Sequence, residues 1–402
     1  MDLRQTGIAT APAYSLDGGR SLHRWLRDMR LHHPVHQDPL TRVWTLYRHR
    51  DITQATADPA AFSSELWRHL PGEMGTGKLT AGNLTAMDPP RHRLVRDLVS
   101  RSFTARAVAG LRPRITAIAA RLVDAVADRG EMDVVADLSD PLPVLVIGDL
   151  LGLPTEEWEL FRDWAQRLLS FDKGDLTDEA VRKRVADTQQ ELLDYLLVHC
   201  RRRRANPQDD LISRLTQAEV GGERLTEEEV VNFANLLLLA GHVTTTLLLA
   251  NIVLTLDEHP AAAAEVRADR SLIPGAIEET LRYRPVIVSN MRVTTRAVTV
   301  GAEQLPAGQF VSLSFISGNR DEQLFTEADR FDIHRDARRH LGFGHGIHYC
   351  LGAPLARLEL GIALEAMLDR FSRFEVTGTP VDYYDTPGVA GPRSLRVAFR
   401  HH

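Results

Sequence analysis

A cysteine follows a glycine-rich segment at the point where a helix is predicted to begin. Residues 340–360 have the sequence HLGFGHGIHYCLGAPLARLEL, and Cys350 directly precedes the amphipathic part. The partial positive charge of a helix N-terminus and the nearby backbone N–H groups favour a thiolate over a thiol. Gly344 and Gly346 allow the backbone to approach a flat ligand closely, and Phe343 can cover one side of the sulfur. The pattern predicts a site built around the sulfur of Cys350.

Two other interpretations of this segment stay open on the residues alone. Cys350 could be a buried cysteine in a loop, or it could bind zinc together with His345 and His348. Structural zinc sites use four Cys or His ligands with a characteristic pairwise spacing. No second Cys/His pair with that spacing accompanies these three residues.

Small polar residues also interrupt the most apolar stretch of the chain. Residues 236–250 have the sequence LLLLAGHVTTTLLLA, and residues 230–256 contain no formally charged side chain. Such a stretch is long enough to cross a bilayer. However, acidic residues flank it on both sides, and its His and Thr side chains would be costly in lipid. With a Thr226-x-x-Glu229 capping box before it and Pro260 after it, we predict a buried central helix.

The segment around Cys350 resembles the haem-binding signature of cytochromes P450. Phe343 to Gly352 have the sequence FGHGIHYCLG, which fits F-G-x-G-x-H-x-C-x-G at every fixed position. The resemblance implies that haem b binds here, with the thiolate of Cys350 as the axial ligand of the iron. It further implies a set of residues that contact the haem or its propionates: His92, Arg96, Arg292, His348, Phe343, Gly344, Gly352 and Ala240.

The polar centre of the apolar helix is similar to the oxygen-activation motif of the same family, A-G-x-[D/E]-T-T. It spans Ala240 to Thr245, and the resemblance implies that Gly241 provides space for dioxygen while the hydroxyl of Thr244 passes protons from water. The sequence departs from the motif at Val243, where the family usually has an acid. Protons could instead come through waters held by Thr244 and Thr245, from His242, or from a substrate hydroxyl.

A further resemblance concerns the stability of the fold. Glu279 and Arg282 are three residues apart and would alone be an ordinary ion pair on a helix. In P450s the corresponding Glu and Arg join a second Arg in a buried triad behind the haem, and the segment ADRFD supplies Arg330. We therefore expect Glu279, Arg282 and Arg330 to form a structural triad.

The composition indicates a globular protein with a large core. The chain has 402 residues, 44% of them hydrophobic and 25% charged, and a formal net charge of -6, which argues against a nucleic-acid-binding protein. Its two cysteines, Cys200 and Cys350, exclude a disulfide framework. The N-terminal sequence has no basic region followed by an apolar run. We expect a cytoplasmic protein without a membrane anchor.

The periodicity of apolar residues predicts mostly helix, at 104–129, 185–204 and 351–371 in addition to the central helix. Strand patterns occur at 42–48 and at 297–316, the latter predicted to be a hairpin. The predicted fold is mainly α with small β-sheets (α+β), as in the P450 fold, with residues 1–402 forming a single domain.

Two motifs point elsewhere and are discounted. GEMGTGKLT at 72–80 fits most of a phosphate-binding loop, but Leu79 stands where Ser or Thr is required to bind magnesium. RRRR at 201–204 is typical of a solvated helix end.

The resemblance implies a monooxygenase that uses O2 and two electrons from NAD(P)H, delivered by a ferredoxin and a ferredoxin reductase. We expect it to hydroxylate or epoxidise a bulky lipophilic biosynthetic intermediate, similar to a polyketide or macrolide. An acidic ferredoxin would meet arginines on the cysteine side, and the substrate would meet a mostly apolar pocket. The arginines are Arg91, Arg93, Arg101, Arg338 and Arg339, and the pocket residues are Leu84, Val286, Ile287 and Val288 with Ala240 and Thr244.

Other functions share these motifs. A P450 that catalyses oxidative coupling or ring formation would have every motif described, and Val243 favours unusual chemistry. A peroxide-driven P450 would usually replace Thr244 as well, which this sequence does not. A haem-binding protein without enzymatic activity would form no product and consume no NAD(P)H.

Overall fold

Helices make up most of the computed structural model, which describes residues 11–69, 82–169, 178–220, 222–378, 380–384 and 388–401. The helices within these ranges are α1 (Arg20–His32), α2 (His49–Ala57), α3 (Arg91–Ser100), α4 (Ala105–Gly110), α5 (Arg112–Asp124), α6 (Pro141–Leu151), α7 (Trp158–Leu169), α8 (Glu179–Ala205), α9 (Leu211–Gln217), α10 (Glu227–Glu258), α11 (Pro260–Ala268), α12 (Ile273–Tyr283), α13 (Phe315–Gly318) and α14 (Ala353–Arg370). The predicted helices at 185–204 and 351–371 are confirmed as α8 and α14.

The strands are short and form small sheets at the edge of the helices. They are β1 (Val35–Gln37), β2 (Trp44–Leu46), β3 (Phe62–Ser63), β4 (Glu131–Asp133), β5 (Glu219–Val220), β6 (Glu223–Arg224), β7 (Asn290–Thr294), β8 (Val298–Val300), β9 (Glu303–Leu305), β10 (Phe310–Leu313), β11 (Phe371–Val376) and β12 (Arg396–His401). The largest sheet has the order β1-β2-β10-β7-β3, in which only the β2–β10 pair is parallel. A second sheet has the order β11-β12-β4. The predicted mainly α architecture with small sheets is confirmed.

Helix α10 runs through the middle of the protein. The hydroxyl of Thr226 accepts the N–H of Glu229 at 3.1 Å, and the Glu229 carboxylate accepts the N–H of Thr226 at 3.0 Å, so the predicted capping box is present. The helix is apolar enough to cross a membrane, but 61% of its most apolar window is buried. It packs against α6, α8, α12 and α14. The prediction of a central helix is therefore confirmed.

Two predictions of secondary structure are wrong in detail. Segment 104–129 is not one helix but α4, α5 and a final 3-10 turn, because Pro113 lies in the first turn of α5, where its missing N–H needs no partner. Segment 297–316 is not one hairpin: β8 pairs with β9, whereas β10 joins the large sheet between β2 and β7.

The structural triad has a different third member from the one predicted. Glu279 and Arg282 are both fully buried, and two nitrogens of Arg282 donate to the two carboxylate oxygens at 2.8 Å. The side chain of Arg330 is exposed and pairs with Glu327, while its backbone carbonyl accepts from Arg282 at 3.0 Å. The second arginine on Glu279 is Arg335, at 3.2 Å. Arg330 thus enters the cluster by its main chain only.

The two discounted motifs have different outcomes. Segment 72–80 lies outside the described residues. The arginines at 201–204 end α8, where Arg201 pairs with Glu227 at 2.9 Å and Arg203 pairs with Asp210. Arg201, Arg202 and Arg204 are exposed, as predicted for a solvated helix end, whereas Arg203 is partly buried.

Candidate active site

The sulfur of Cys350 lies at the beginning of α14, which Gly352 caps. The Cys350 N–H donates to the Phe343 carbonyl at 2.9 Å, which closes the glycine-rich loop. Exclusion of water raises the pKa of the Cys350 thiol, while the N–H groups of Gly352 and Ala353 and the charge of Arg96 act to lower it. The backbone donors are therefore arranged for a thiolate, and a cation at the sulfur would complete its stabilisation.

The histidines of the loop do not form a zinc site with Cys350. His345 Nδ1 contacts the hydroxyl of Thr56 at 3.0 Å, and His348 Nε2 contacts that of Ser64 at 2.9 Å. Across the part of the chain that the structure describes, there is no group of three Cys, His, Asp or Glu side chains that could hold a metal ion. The zinc interpretation is wrong, and Cys350 is then either a loop cysteine or the single sulfur ligand that the resemblance implies.

Gly346 is required by the geometry of this loop. Its φ is +72°, and a Cβ at this position would collide with the carbonyl oxygen of Thr56 on α2. Only glycine combines this backbone conformation with so close an approach. The loop can thus pack directly on α2.

Four basic side chains converge beside the loop, from α3, β7 and the loop itself. The rings of His92 and His348 are 4.5 Å apart, and Arg96 donates to the Tyr349 carbonyl at 2.7 Å. Arg292 is buried on β7 and donates to its neighbouring Met291 carbonyl at 2.7 Å. Burial and the charges of Arg292, His92 and Arg96 lower the pKa of His348 to about 3.

This basic cluster fits the two carboxylates of a haem. The Nε2 atom of His92 is buried without a hydrogen-bond partner among the described residues, and a buried polar atom of this kind calls for a ligand or water. The charges of Arg96 and Arg292 act against protonation of His348, so an anion between these side chains would be favoured. The structure places His92, Arg96, Arg292 and His348 together, as the sequence predicts. Phe343 is buried in the same loop as Gly344.

Away from its two ends, α10 opens around its centre, between residues 235 and 244. Ala240 is exposed, Val243 and Thr244 are partly buried, and Thr245 is buried. The hydroxyl of Thr244 donates to the carbonyl of Ala240 at 2.7 Å, which fixes its oxygen beside the exposed turn. This geometry brings a hydroxyl and an open helix surface together.

His242 lies away from that opening. Its ring is buried, and Nε2 is 2.6 Å from Asp140, whose other oxygen is 2.6 Å from Arg162. Sequence reasoning missed this connection because Asp140 lies 102 residues earlier in the chain. Gly241 also faces α6: a Cβ there would lie 3.5 Å from Ile147. A Cβ at this position would make an ordinary van der Waals contact, so packing against α6 does not by itself require glycine, and the role of Gly241 in providing space for dioxygen stays a prediction.

The expected pocket residues fall into two groups. Leu84 and Val286 are buried in the main core, and the main chain of Leu84 hydrogen-bonds His348. Ile287 and Val288 are partly buried and pack against two other clusters. Val286 and Val288 are held by main-chain hydrogen bonds to Ala390 and Gly388. Leu84 alone of the four has a contact with the basic cluster among the contacts that the structure describes.

The arginines expected on the cysteine side are not all available to a partner. Arg91 pairs with Glu229 and fastens α3 to the first turn of α10. Arg93, Arg338 and Arg339 are exposed, and Arg338 pairs with Asp336 at 2.8 Å. Arg101 begins a 3-10 turn after α3. A groove of about 520 Å³ between α2 and the loop is lined by His49, Arg50, Thr53, Gln54, Arg338, Arg339 and His345.

Comparison with known proteins defines the class of this fold and site. The family model for Cytochrome P450 matches residues 156–396, more than half of the chain. Cyclomarin C epoxidase CymV of Salinispora arenicola (strain CNS-205) is 87% identical over 395 residues, covering 98% of this chain and 100% of that protein. Erythromycin C-12 hydroxylase of Saccharopolyspora erythraea is 45% identical over 355 residues, covering 88% of this chain and 87% of that protein.

A solved structure agrees with these relatives. A mutant of P450 EryK in complex with erythromycin B aligns with a TM-score of 0.89 and 43% identity, covering 96% of this chain and 98% of that chain. The chain therefore belongs to the cytochrome P450 family and has the P450 fold. Members of the family bind haem b through a cysteine thiolate, and the chain is a cytochrome P450 monooxygenase.

Proposed function

We propose that this monooxygenase epoxidises a carbon–carbon double bond in cyclomarin C or a compound closely similar to it. The observation that supports the proposal is the 87% identity to cyclomarin C epoxidase over 98% of the chain. The second candidate substrate is a macrolide, as expected from the sequence, because the chain is 45% identical to an erythromycin C-12 hydroxylase. Both substrates are bulky products of specialised metabolism.

The roles of the side chains follow from their positions. The haem, when bound, supplies activation of O2 with two electrons and two protons, so that one oxygen atom enters the substrate and the other leaves as water. Cys350 would hold the iron through its thiolate, and His92, Arg96, Arg292 and His348 would hold the propionates. Thr244, fixed beside Ala240, would hold the water from which protons come.

The proton route proposed here passes through Thr244 and Thr245 rather than His242. Because the ring of His242 is bound to Asp140, it faces away from the exposed turn of α10. Val243 is partly buried against the apolar core and has no proton to give. The hydroxyls of Thr244 and Thr245, together with a chain of water molecules, are then the remaining route for protons at this turn.

Replacing Thr244 by alanine is expected to separate NAD(P)H consumption from product formation. The fraction of NAD(P)H that yields product should fall by about tenfold or more, since a positioned proton donor contributes on the order of 10²–10⁴ to such steps. Thr244→Ser keeps the hydroxyl and should retain most of the coupling. The measurement is product formed per NAD(P)H consumed; equal coupling in wild type and Thr244→Ala would exclude Thr244 from the route.

The substrate proposal is tested with the purified protein and two ligands. Cyclomarin C is expected to shift the spin state of the haem, and turnover with a ferredoxin, its reductase and NAD(P)H should give an epoxide whose added oxygen comes from labelled O2. Erythromycin B serves as the matched comparison, because a P450 in complex with it has the same fold. A spin shift and product with erythromycin B alone would overturn the proposal in favour of a macrolide hydroxylase.

Electrons reach bacterial P450s from redox partners such as ferredoxins. We propose that an acidic ferredoxin docks on the cysteine side, against the groove between α2 and the loop and the exposed Arg93. Opposite charge on the two surfaces would speed the encounter and make it sensitive to salt. Since the relatives are soluble bacterial P450s, this exchange would take place in the cytoplasm.

A further inference from the structure

A partly buried ion pair lies beside the cysteine loop and was not anticipated from the sequence. Arg357 donates to both oxygens of Glu278, at 2.6 and 2.9 Å, and its guanidinium lies 4.7 Å from the centre of the Phe343 ring. His340 Nε2 contacts the same carboxylate at 3.2 Å. We call Glu278, Arg357 and His340 the Glu278 cluster.

The position of Arg357 links this cluster to the sulfur. Arg357 lies four residues after Ala353, whose N–H is directed at the Cys350 sulfur, so both are on one face of α14. Phe343, beneath the guanidinium, accepts the Cys350 N–H through its carbonyl. The charge of Arg357 therefore acts on the sulfur across an aromatic ring and one turn of helix.

The charges of the cluster are fixed by its hydrogen bonds. His340 Nδ1 accepts the N–H of Gly342 at 3.0 Å, which leaves Nε2 to donate to Glu278. Burial alone would raise the pKa of Glu278, but hydrogen bonds from Arg357 and His340 lower it to about 2. At neutral pH Arg357 and Glu278 thus carry opposite charges.

We propose that the Glu278–Arg357 pair sets the reduction potential of the haem by balancing charge on the sulfur side of Cys350. Reduction adds an electron to the haem, so an unbalanced positive charge nearby favours the reduced form and an unbalanced negative charge favours the oxidised form. Glu278 and Arg357 are positioning residues in this role, since neither touches the cofactor or the substrate. The proposal rests on Cys350 as the haem ligand, which the ferrous–carbon monoxide spectrum tests separately.

The test is an equilibrium redox titration of the purified, haem-loaded protein without its redox partner. Glu278→Gln leaves Arg357 unbalanced and should raise the ratio of reduced to oxidised protein at a fixed solution potential by about tenfold. Arg357→Gln leaves Glu278 unbalanced and should lower that ratio by a similar factor. Arg357→Lys keeps the charge and should stay near wild type. The double variant Glu278→Gln/Arg357→Gln should have a ratio of reduced to oxidised protein close to that of wild type.

Asp336→Asn is the control, because it removes a carboxylate from an exposed arginine pair and should leave the ratio unchanged. Shifts of the same sign in Glu278→Gln and Arg357→Gln, or shifts no larger than in the control, would overturn the proposal. If Arg357→Gln does not retain haem, Glu278→Gln and Arg357→Lys decide, since equal potentials in these two variants contradict the charge argument. A thiolate-type spectrum retained in all variants shows that any failure concerns the cluster and not the ligand.

Discussion

Replacing Cys350 by alanine is expected to abolish the thiolate-type Soret band of the ferrous–carbon monoxide complex and to bring monooxygenase activity below detection. The reason is that the N–H groups of Gly352 and Ala353 stabilise a thiolate at this one sulfur. The basic cluster of His92, Arg96, Arg292 and His348 remains in the variant. Some haem should therefore still bind, but without the sulfur ligand. The measurements are the carbon monoxide difference spectrum and the haem content.

Cys200 provides the matched control within the same chain. It is a free cysteine, buried in α8, and burial raises the pKa of its thiol to about 12. A neutral thiol is a poor iron ligand. Cys200→Ala should therefore keep the thiolate-type band, at the cost of a small cavity. A normal band in Cys350→Ala would show that another group binds the iron, and the assignment of the loop would fail.

The sequence predicts those parts of the fold and site that depend on residues close together in the chain. The capping box at Thr226 needs only four consecutive residues, and both of its hydrogen bonds are present in the structure. The cysteine loop is similarly local, because its glycines, its aromatic residue and its sulfur lie within ten positions. Gly346 illustrates the cause, since a positive φ and a close approach to α2 permit no other residue.

Contacts between distant segments could not be predicted in the same way. The contact between His242 and Asp140 is one example, since no spacing in the sequence connects two residues from different parts of the fold. The strand at 310–313 has the pattern of a hairpin arm, but β2 and β7 compete successfully for its backbone hydrogen bonds. Local patterns indicate which side chains can be buried, whereas tertiary packing decides which segments they are buried against.

The missing acid at Val243 is one such case. The motif has no carboxylate at position 243. Asp140, at the start of α6, instead places a carboxylate against the neighbouring residue, His242. That carboxylate is already engaged by Arg162 as well. It therefore joins α6 to the centre of α10 and does not replace the acid at the exposed turn.

Arg335→Ala is expected to lower the free energy of unfolding by about 2–4 kcal/mol, whereas Arg330→Ala should change it by no more than about 0.5 kcal/mol. Glu279 is fully buried and accepts from Arg282, from Arg335 and from the N–H of Asp332 at 2.9 Å. Removing Arg335 leaves part of a buried negative charge uncompensated. Removing the Arg330 side chain costs only an exposed pair with Glu327.

Further hydrogen bonds of Arg335 explain why the two variants should differ so much in stability. Arg335 also donates to the carbonyls of Thr326, Glu327 and Arg330, at 2.6, 3.2 and 3.3 Å, so its guanidinium makes three hydrogen bonds within the loop and one to Glu279 on α12. The alanine variant should lose haem at lower urea concentrations than wild type, and Arg330→Ala should unfold with wild type. Urea midpoints that are equal for the two variants, or reversed in order, would restore Arg330 as the third member of the triad.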